Sequence, residues 1–232
     1  SYTPVVIIGS GFGGAVAAWR LAQAGVKSTV LERGSRWPAA NAWRGFFSPD
    51  SGPDGRAFWR QTTPFIGVTG DKSSTDYFGG VLDVTKFDGI DVWRAAAVGG
   101  GSIVYTGAHP VPEQTHFQHL LGSTVDYADM VARWYPRAAG VLGSSVMPDD
   151  IYNSRPYSHS RAWDAIAKRA GYTPQKLSSV WDWNIMRREM NFGARQSATI
   201  SESNYGNANG VKRGLQTNYL AYAEQTGLST IY

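Results

Sequence analysis

The sequence predicts an α/β fold that opens with a Rossmann-like dinucleotide-binding unit, and three observations predict it. Val5 to Ile8 form an unbroken apolar, β-branched run, as expected of a parallel strand buried on both faces. Gly9, Gly11 and Gly14 follow as G-x-G-x-x-G and lead into helical apolar spacing from Ala15 to Gly25, where the glycine ends the helix. Ser28 to Leu31 then read as a second strand, and Glu32 stands at its end, 18 residues beyond Gly14.

Each residue of that unit has a physical role. The first glycine permits a tight turn, the second lets a pyrophosphate come close to backbone, and the third lets the helix pack on the strand. The helix start offers unpaired N–H groups and the positive end of a dipole. The carboxylate of Glu32 can accept from both ribose hydroxyls and would repel a 2′-phosphate, so the expected cofactor is an adenine dinucleotide other than NADP. The Gly13-Gly14 pair and the Glu32-Arg33-Gly34 ending favour FAD over NAD, although the first unit alone leaves both open. The alternative is a βαβ unit that binds nothing.

Length and composition bound the rest. A chain of 232 residues can form one large domain or two small ones. With 42% hydrophobic and 17% charged residues and no run of 18 apolar ones, it reads as globular and without a membrane span. The net charge of +4 is spread along the chain, with no basic block or aromatic platform for nucleic acid. The absence of cysteine excludes disulfides, thiolate metal sites and cysteine nucleophiles. Ser1 is no translational start, so a removed leader is expected; secreted, periplasmic and cytoplasmic locations all stay open.

After Glu32, roughly forty residues are irregular, broken by Trp37-Pro38, Ser48 to Gly55 and Thr63-Pro64; a loop this long reads either as a cover over cofactor and substrate or as an exposed insertion. Gly80 to Trp93 alternate as one or two strands. They lead to a second glycine-rich loop, Val98-Gly99-Gly100-Gly101-Ser102, able to approach a flat ligand closely. Tyr127, Val131 and Trp134 have helical spacing. Ser160 to Gly171 read as a capped amphipathic helix with Trp163, Ile166, Ala167 and Ala170 on its apolar face. Val180 to Ile185 alternate like a strand, in which Trp181 or Trp183 either packs the core or walls a substrate cavity. Thr217 is expected to cap a last helix that stops at Gly227, before an apolar strand from Leu228 to Tyr232. His116 and His119 share a helix face but have no third metal ligand nearby, and nothing suggests a hydrolase triad.

The combination of Gly9-Ser10-Gly11-Phe12-Gly13-Gly14 with Glu32, then Gly80-Val-Leu-Asp83 and Val98 to Ser102, resembles the glucose-methanol-choline oxidoreductases, and within these the FAD-containing bacterial cholesterol oxidases. Weaker similarity continues through Tyr135-Pro-Arg137, Met186 to Glu189, Tyr205-Gly-Asn207 and Gly214 to Leu220. The resemblance implies hydride transfer from an alcohol carbon to flavin N5, reoxidation by O₂, and a bulky apolar substrate such as a sterol or terpenoid. It also implies a Rossmann-like FAD domain over 1–140, part of an α+β substrate domain over 141–205, and a return to the FAD domain over 206–232.

Carried onto this chain, the cofactor-binding residues are Gly9, Ser10, Gly11, Phe12, Gly13, Gly14, Glu32 and Arg33 in the first unit. In the second loop they are Gly99, Gly100, Gly101, Ser102, Tyr105, Thr106, Gly107 and Ala108. Relatives carry asparagine where Tyr105 stands and methionine where Ala108 stands, beside the isoalloxazine. Covalent members attach FAD through a histidine two residues after the serine; here that position is Val104, so FAD is expected to be non-covalent, with His109 the one histidine close in sequence. The resemblance further implies that the chain is an incomplete half of the fold. The catalytic base and histidine would lie on the other half, supplied by a second polypeptide or a longer native chain. Two other readings stay open: a non-oxidative flavin-dependent isomerase, cyclase or lyase, and a flavin-binding subunit without activity.

Overall fold

The computed structural model describes residues 3–37, 56–60, 79–207 and 209–232. Most of the irregular segment after Trp37, including Ser48 to Gly55 and Thr63-Pro64, lies outside the described residues.

The first unit forms as expected. Strand β1 (Val5–Ile8) turns at Gly9, whose φ of +86° only glycine adopts without strain, into helix α1 (Phe12–Gln23), and β2 (Ser28–Leu31) pairs parallel to β1 from Val5↔Ser28 to Ile8↔Leu31. A Cβ on Gly14 would lie 2.0 Å from the carbonyl oxygen of Gly9, so the third glycine is required for helix and turn to meet.

Strands β3 (Leu82–Phe87) and β4 (Ile90–Ala95) form an antiparallel hairpin across Asp88-Gly89. Helix α2 (Gln114–Leu121) is followed by α3 (Tyr127–Asp129), which runs through a π-helical stretch (Met130–Trp134) into α4 (Tyr135–Leu142). Then come β5 (Ser145–Val146), α5 (Asp149–Tyr152), α6 (Ser158–Arg169) and β6 (Ser178–Ser179), with β5 and β6 antiparallel. Helices α7 (Trp183–Met190) and α8 (Tyr219–Gln225) precede β7 (Ser229–Ile231), which pairs parallel to β2 and gives the order β1-β2-β7.

Among the described residues, one face of this sheet is covered and the other is largely open. Ala18 and Ala22 of α1 pack with Val30 and with Ala223 of α8, and the small alanines let both helices lie close to the strands. On the opposite face Val6 is 54% and Ile8 89% exposed. This corrects the expectation of β1 buried on both faces: Ile8 is almost bare, and Val6 and Leu31 are only about half covered.

Three further expectations are corrected. Val180 to Ile185 are not a strand, because the Asp182 carboxylate accepts from the N–H groups of Asn184 and Ile185 and starts α7 there. The last helix is capped by Asn218, whose side chain accepts from the Tyr219 N–H; the Thr217 hydroxyl donates back to the Gly214 carbonyl instead. Helix α6 is present, but it begins at Ser158 and its apolar face is open, with Trp163 69% exposed.

Candidate functional site

The two glycine-rich loops meet. A Cβ on Gly100 would lie 2.7 Å from the Cα of Gly11, so backbone packs directly on backbone between residues far apart in sequence. A Cβ on Gly11 itself, or on Gly13 or Gly101, would find no atom within 4 Å. The chain's own packing therefore accounts for Gly14 and Gly100. It leaves Gly11, Gly13 and Gly101 as open ledges at the N-terminus of α1, the shape a pyrophosphate or a flat ring fills.

Ser10 and Glu32 fasten this meeting point. The fully buried Ser10 hydroxyl donates to Glu32 Oε2 (2.6 Å) and accepts from the Gly99 N–H (2.9 Å), while the Ser10 N–H donates to the same carboxylate oxygen (2.9 Å). The other oxygen, Oε1, accepts from the Gly34 N–H (3.0 Å). A carboxylate has about four acceptor directions, so Glu32 keeps capacity for a further donor such as a ribose hydroxyl. Ser102 organises the second loop: its hydroxyl donates to the Gly99 carbonyl (2.7 Å) and accepts from the Leu215 N–H (3.0 Å). Beside Gly99, Gln216 Oε1 is buried, and no donor among the described residues reaches it. An orphaned buried acceptor and glycine ledges open to a Cβ fit a polar, flat ligand.

The remaining predicted residues separate. Arg33 turns away to Asp83, which also binds Arg94 (2.9 Å). Gly34 is fixed by packing, since its Cβ would fall 1.9 Å from the Ala96 carbonyl carbon. Gly107 and Ala108 are held to the β6 region: the Val180 N–H donates to the Gly107 carbonyl, Ala108 bridges to Ser179, and Gly107 lies against the Trp181 ring. Thr106 is exposed. The edge of Tyr105 meets Phe12, with centroids 5.7 Å apart, and so ties the second loop to the first.

Tyr105 also forms part of a cleft of about 490 Å³, lined by Leu82, Trp93, Arg94, Gly101, Val104, Tyr105 and Asn204. Its hydroxyl and His109 Nε2 are 3.0 Å apart. Burial pushes the Tyr105 phenol above its ordinary 10.0 and the His109 imidazole below 6.5. Which partner donates is set by the imidazole tautomer: the phenol donates to an unprotonated Nε2, or its oxygen accepts from Nε2–H.

Sequence reading missed Lys212. It is 6% exposed, and its ammonium donates to the carbonyls of Ile103 (2.9 Å), Tyr105 (2.6 Å) and Ser203 (2.5 Å). Burial pushes its pKa down to about 7, whereas the three carbonyls oppose that shift by favouring the charged form. A lysine between Val211 and Arg213 carries no local mark of burial, because lysine ordinarily reads as surface.

Trp181 and Trp183 pack beside Ile151, Met186 and Val211, and neither lines this cleft. His116 and His119 are exposed on α2, and the described residues contain no cluster of three or more metal-ligating side chains. No described helix is long and apolar enough to cross a membrane.

Comparison with known proteins bears on the first of the two loops and on the chain's relatives. A family profile described as an NAD(P)-binding Rossmann-like domain matches residues 7–44. The chain is 27% identical over 177 residues to a cholesterol oxidase of Acinetobacter baumannii, covering 76% of this chain. It is 29% identical over 140 residues to a cholesterol oxidase of Mycobacterium tuberculosis, covering 60% of this chain. The matched part spans 28% and 21% of those relatives, respectively. The resemblance read from the sequence is borne out by these matches.

Proposed function

We propose that this chain, a homologue of cholesterol oxidases, binds FAD non-covalently across its two touching glycine loops and forms the cofactor-binding part of an oxidoreductase for bulky apolar alcohols of sterol or terpenoid type. One observation carries the reading: Gly100 is pressed onto Gly11 while Gly11, Gly13 and Gly101 each keep an open ledge. Ser10 fixes Glu32 beside this ledge, where its free acceptor capacity suits a ribose. Val104 lies in the cleft wall and offers no nucleophile for a covalent link. When bound, oxidised flavin supplies a hydride acceptor, with O₂ as the final acceptor. The residues of this chain bind and orient; Tyr105, which lines the cleft, stands where the resembled relatives carry asparagine and shapes the reacting face, whereas Ala108 is held to the β6 region.

A second polypeptide, or a further length of native chain, completes the fold and carries the catalytic base. The open sheet face at Val6 and Ile8 supports this, as does the short span of the relatives that this chain matches. The second reading, a non-oxidative flavin enzyme, is favoured by the Tyr105–His109 hydrogen bond, which offers proton donation and acceptance beside the cleft.

Titrating the chain with FAD and following flavin fluorescence tests the cofactor. Saturable quenching, with flavin released intact on acid denaturation, is expected; absence of binding, or flavin that stays with the precipitate, refutes the respective part. Peroxide formed with an apolar alcohol in air, in the completed assembly, supports oxidation. Product without peroxide selects the second reading.

A further inference from the structure

Lys212 is a buried cation to which the proposed function gives no role. All three of its N–H donors are used, on carbonyls from two separate stretches of chain: Ile103 and Tyr105 in one, Ser203 in the other. Both stretches wall the same cleft, the first through Val104 and Tyr105 and the second through Asn204. The ammonium also lies 5.7 Å from the centroid of the Tyr105 ring and 5.5 Å from that of Trp181. No carboxylate among the described residues pairs with it. Glu202, next to Ser203, pairs with Arg195 through Oε1 and leaves Oε2 buried without a partner among the described residues, and Asp182 pairs with Arg213; neither forms an ion pair with Lys212. A charge so placed is not cancelled locally, and in a low-dielectric surround it acts over several ångströms.

We propose that Lys212 is a positioning residue, which clamps Ile103–Tyr105 to Ser203 to set the shape of the cleft and whose uncompensated charge favours the reduced, more negative state of a flavin held at Gly100 and Gly101. Its second half rests on the FAD reading above; the clamp does not. The clamp is internal to this chain, because Lys212 and its three carbonyl acceptors all lie on it.

The test uses Lys212→Met, which keeps the length of the side chain without donors or charge, and Lys212→Arg, which keeps both. In ligand-free protein, hydrogen exchange of the amides in 103–106 and 203–205 is expected to rise tenfold or more in Lys212→Met, to change little elsewhere, and to return toward wild type in Lys212→Arg. With FAD bound, at a pH below the lysine's pKa of about 7, the reduced flavin is expected to lose at least tenfold in relative stability in Lys212→Met, about 30 mV for a two-electron couple. Unchanged exchange in those two segments overturns the clamp. An unchanged potential overturns the effect of the charge. If wild-type protein binds no FAD, the proposed function fails, and the exchange measurement alone decides the clamp. Should Lys212→Met fail to fold, Lys212→Gln is measured in its place, with a lowered potential and a smaller rise in exchange expected; wild-type values for both would overturn the proposal.

Discussion

Gly100 sits on Gly11 so closely that a Cβ on the former would fall 2.7 Å from the Cα of the latter, with Gly100 itself at φ +53°. The contact joins two loops that each look like a ligand-binding element in sequence and makes them one surface. Its energetic weight follows from steric and backbone effects together. Gly100→Ala adds left-handed strain of about 1 to 2 kcal/mol and overpacking of about 1 to 3 kcal/mol. We expect a loss of roughly 2 to 5 kcal/mol in urea unfolding, and an unchanged midpoint would disprove the contact.

Gly11 should behave in the opposite way. Its Cβ meets open space, so Gly11→Ala is expected to leave the unfolding midpoint within about 0.5 kcal/mol of wild type. The added methyl group would stand where the ligand approaches, so FAD affinity should fall by tenfold or more. Equal FAD affinity in Gly11→Ala and wild type, measured by fluorescence titration, would show that the ledge is not the pyrophosphate site.

Ser10→Ala removes one hydroxyl that both donates to Glu32 and receives the Gly99 N–H. Leaving buried groups unsatisfied costs about 1 to 3 kcal/mol. The two loops would lose their main polar tie, so exchange of the Gly99 and Gly100 amides should quicken together with the loss of stability. If stability falls while those amides stay protected, the serine matters for packing and not for joining the loops.

Much of the first unit is legible in the sequence because its determinants are local. A glycine that must turn, a glycine that must pack and a carboxylate at a strand end all lie within one βαβ unit. The nonlocal features are less visible. The alternation of Val180 to Ile185 imitates a strand, and the cap at Asp182 is the competing signal that wins. Asn218 supplants Thr217 through a side-chain bond to its own neighbour's N–H. Ile8 reads as core because a β-branched run reveals composition and not which face is covered. The contact of Gly100 with Gly11 and the burial of Lys212 arise from chain segments about a hundred residues apart, which no spacing rule connects.

Lys212 also predicts a pH dependence of stability. Its folded-state pKa is pushed down to about 7 from 10.5, so between those values the unfolded chain holds a proton that the folded chain has released. Stability attributable to this residue therefore rises with pH across that window, by at most about 1.4 kcal/mol per pH unit, and below pH 7 burial of the charge exerts its full cost. The unfolding free energy of wild type relative to Lys212→Met should increase from pH 7 to pH 10. A constant difference would mean that the three carbonyls hold the amine at its ordinary pKa.

The uncovered sheet face gives the last prediction. Val6, Ile8 and Leu31 are 54%, 89% and 47% exposed, and Ile8 lies beside Leu31 in the parallel register. Tyr232, whose N–H donates to the Val30 carbonyl, continues that row and is 73% exposed. Covering such side chains is worth about 1.5 to 3 kcal/mol each when complete, and β1 has only β2 as a neighbour among the described strands, so face and edge both invite association. The chain by itself is expected to bind a hydrophobic dye such as ANS and to self-associate as concentration rises. Replacing Val6 and Ile8 together by threonine keeps the β-branched shape that suits a strand but removes apolar surface. Dye fluorescence and association should then both drop while far-ultraviolet circular dichroism is retained. A wild-type chain that is monomeric and dark to the dye would show that this face is covered from within, and the need for a completing polypeptide would lose its structural support.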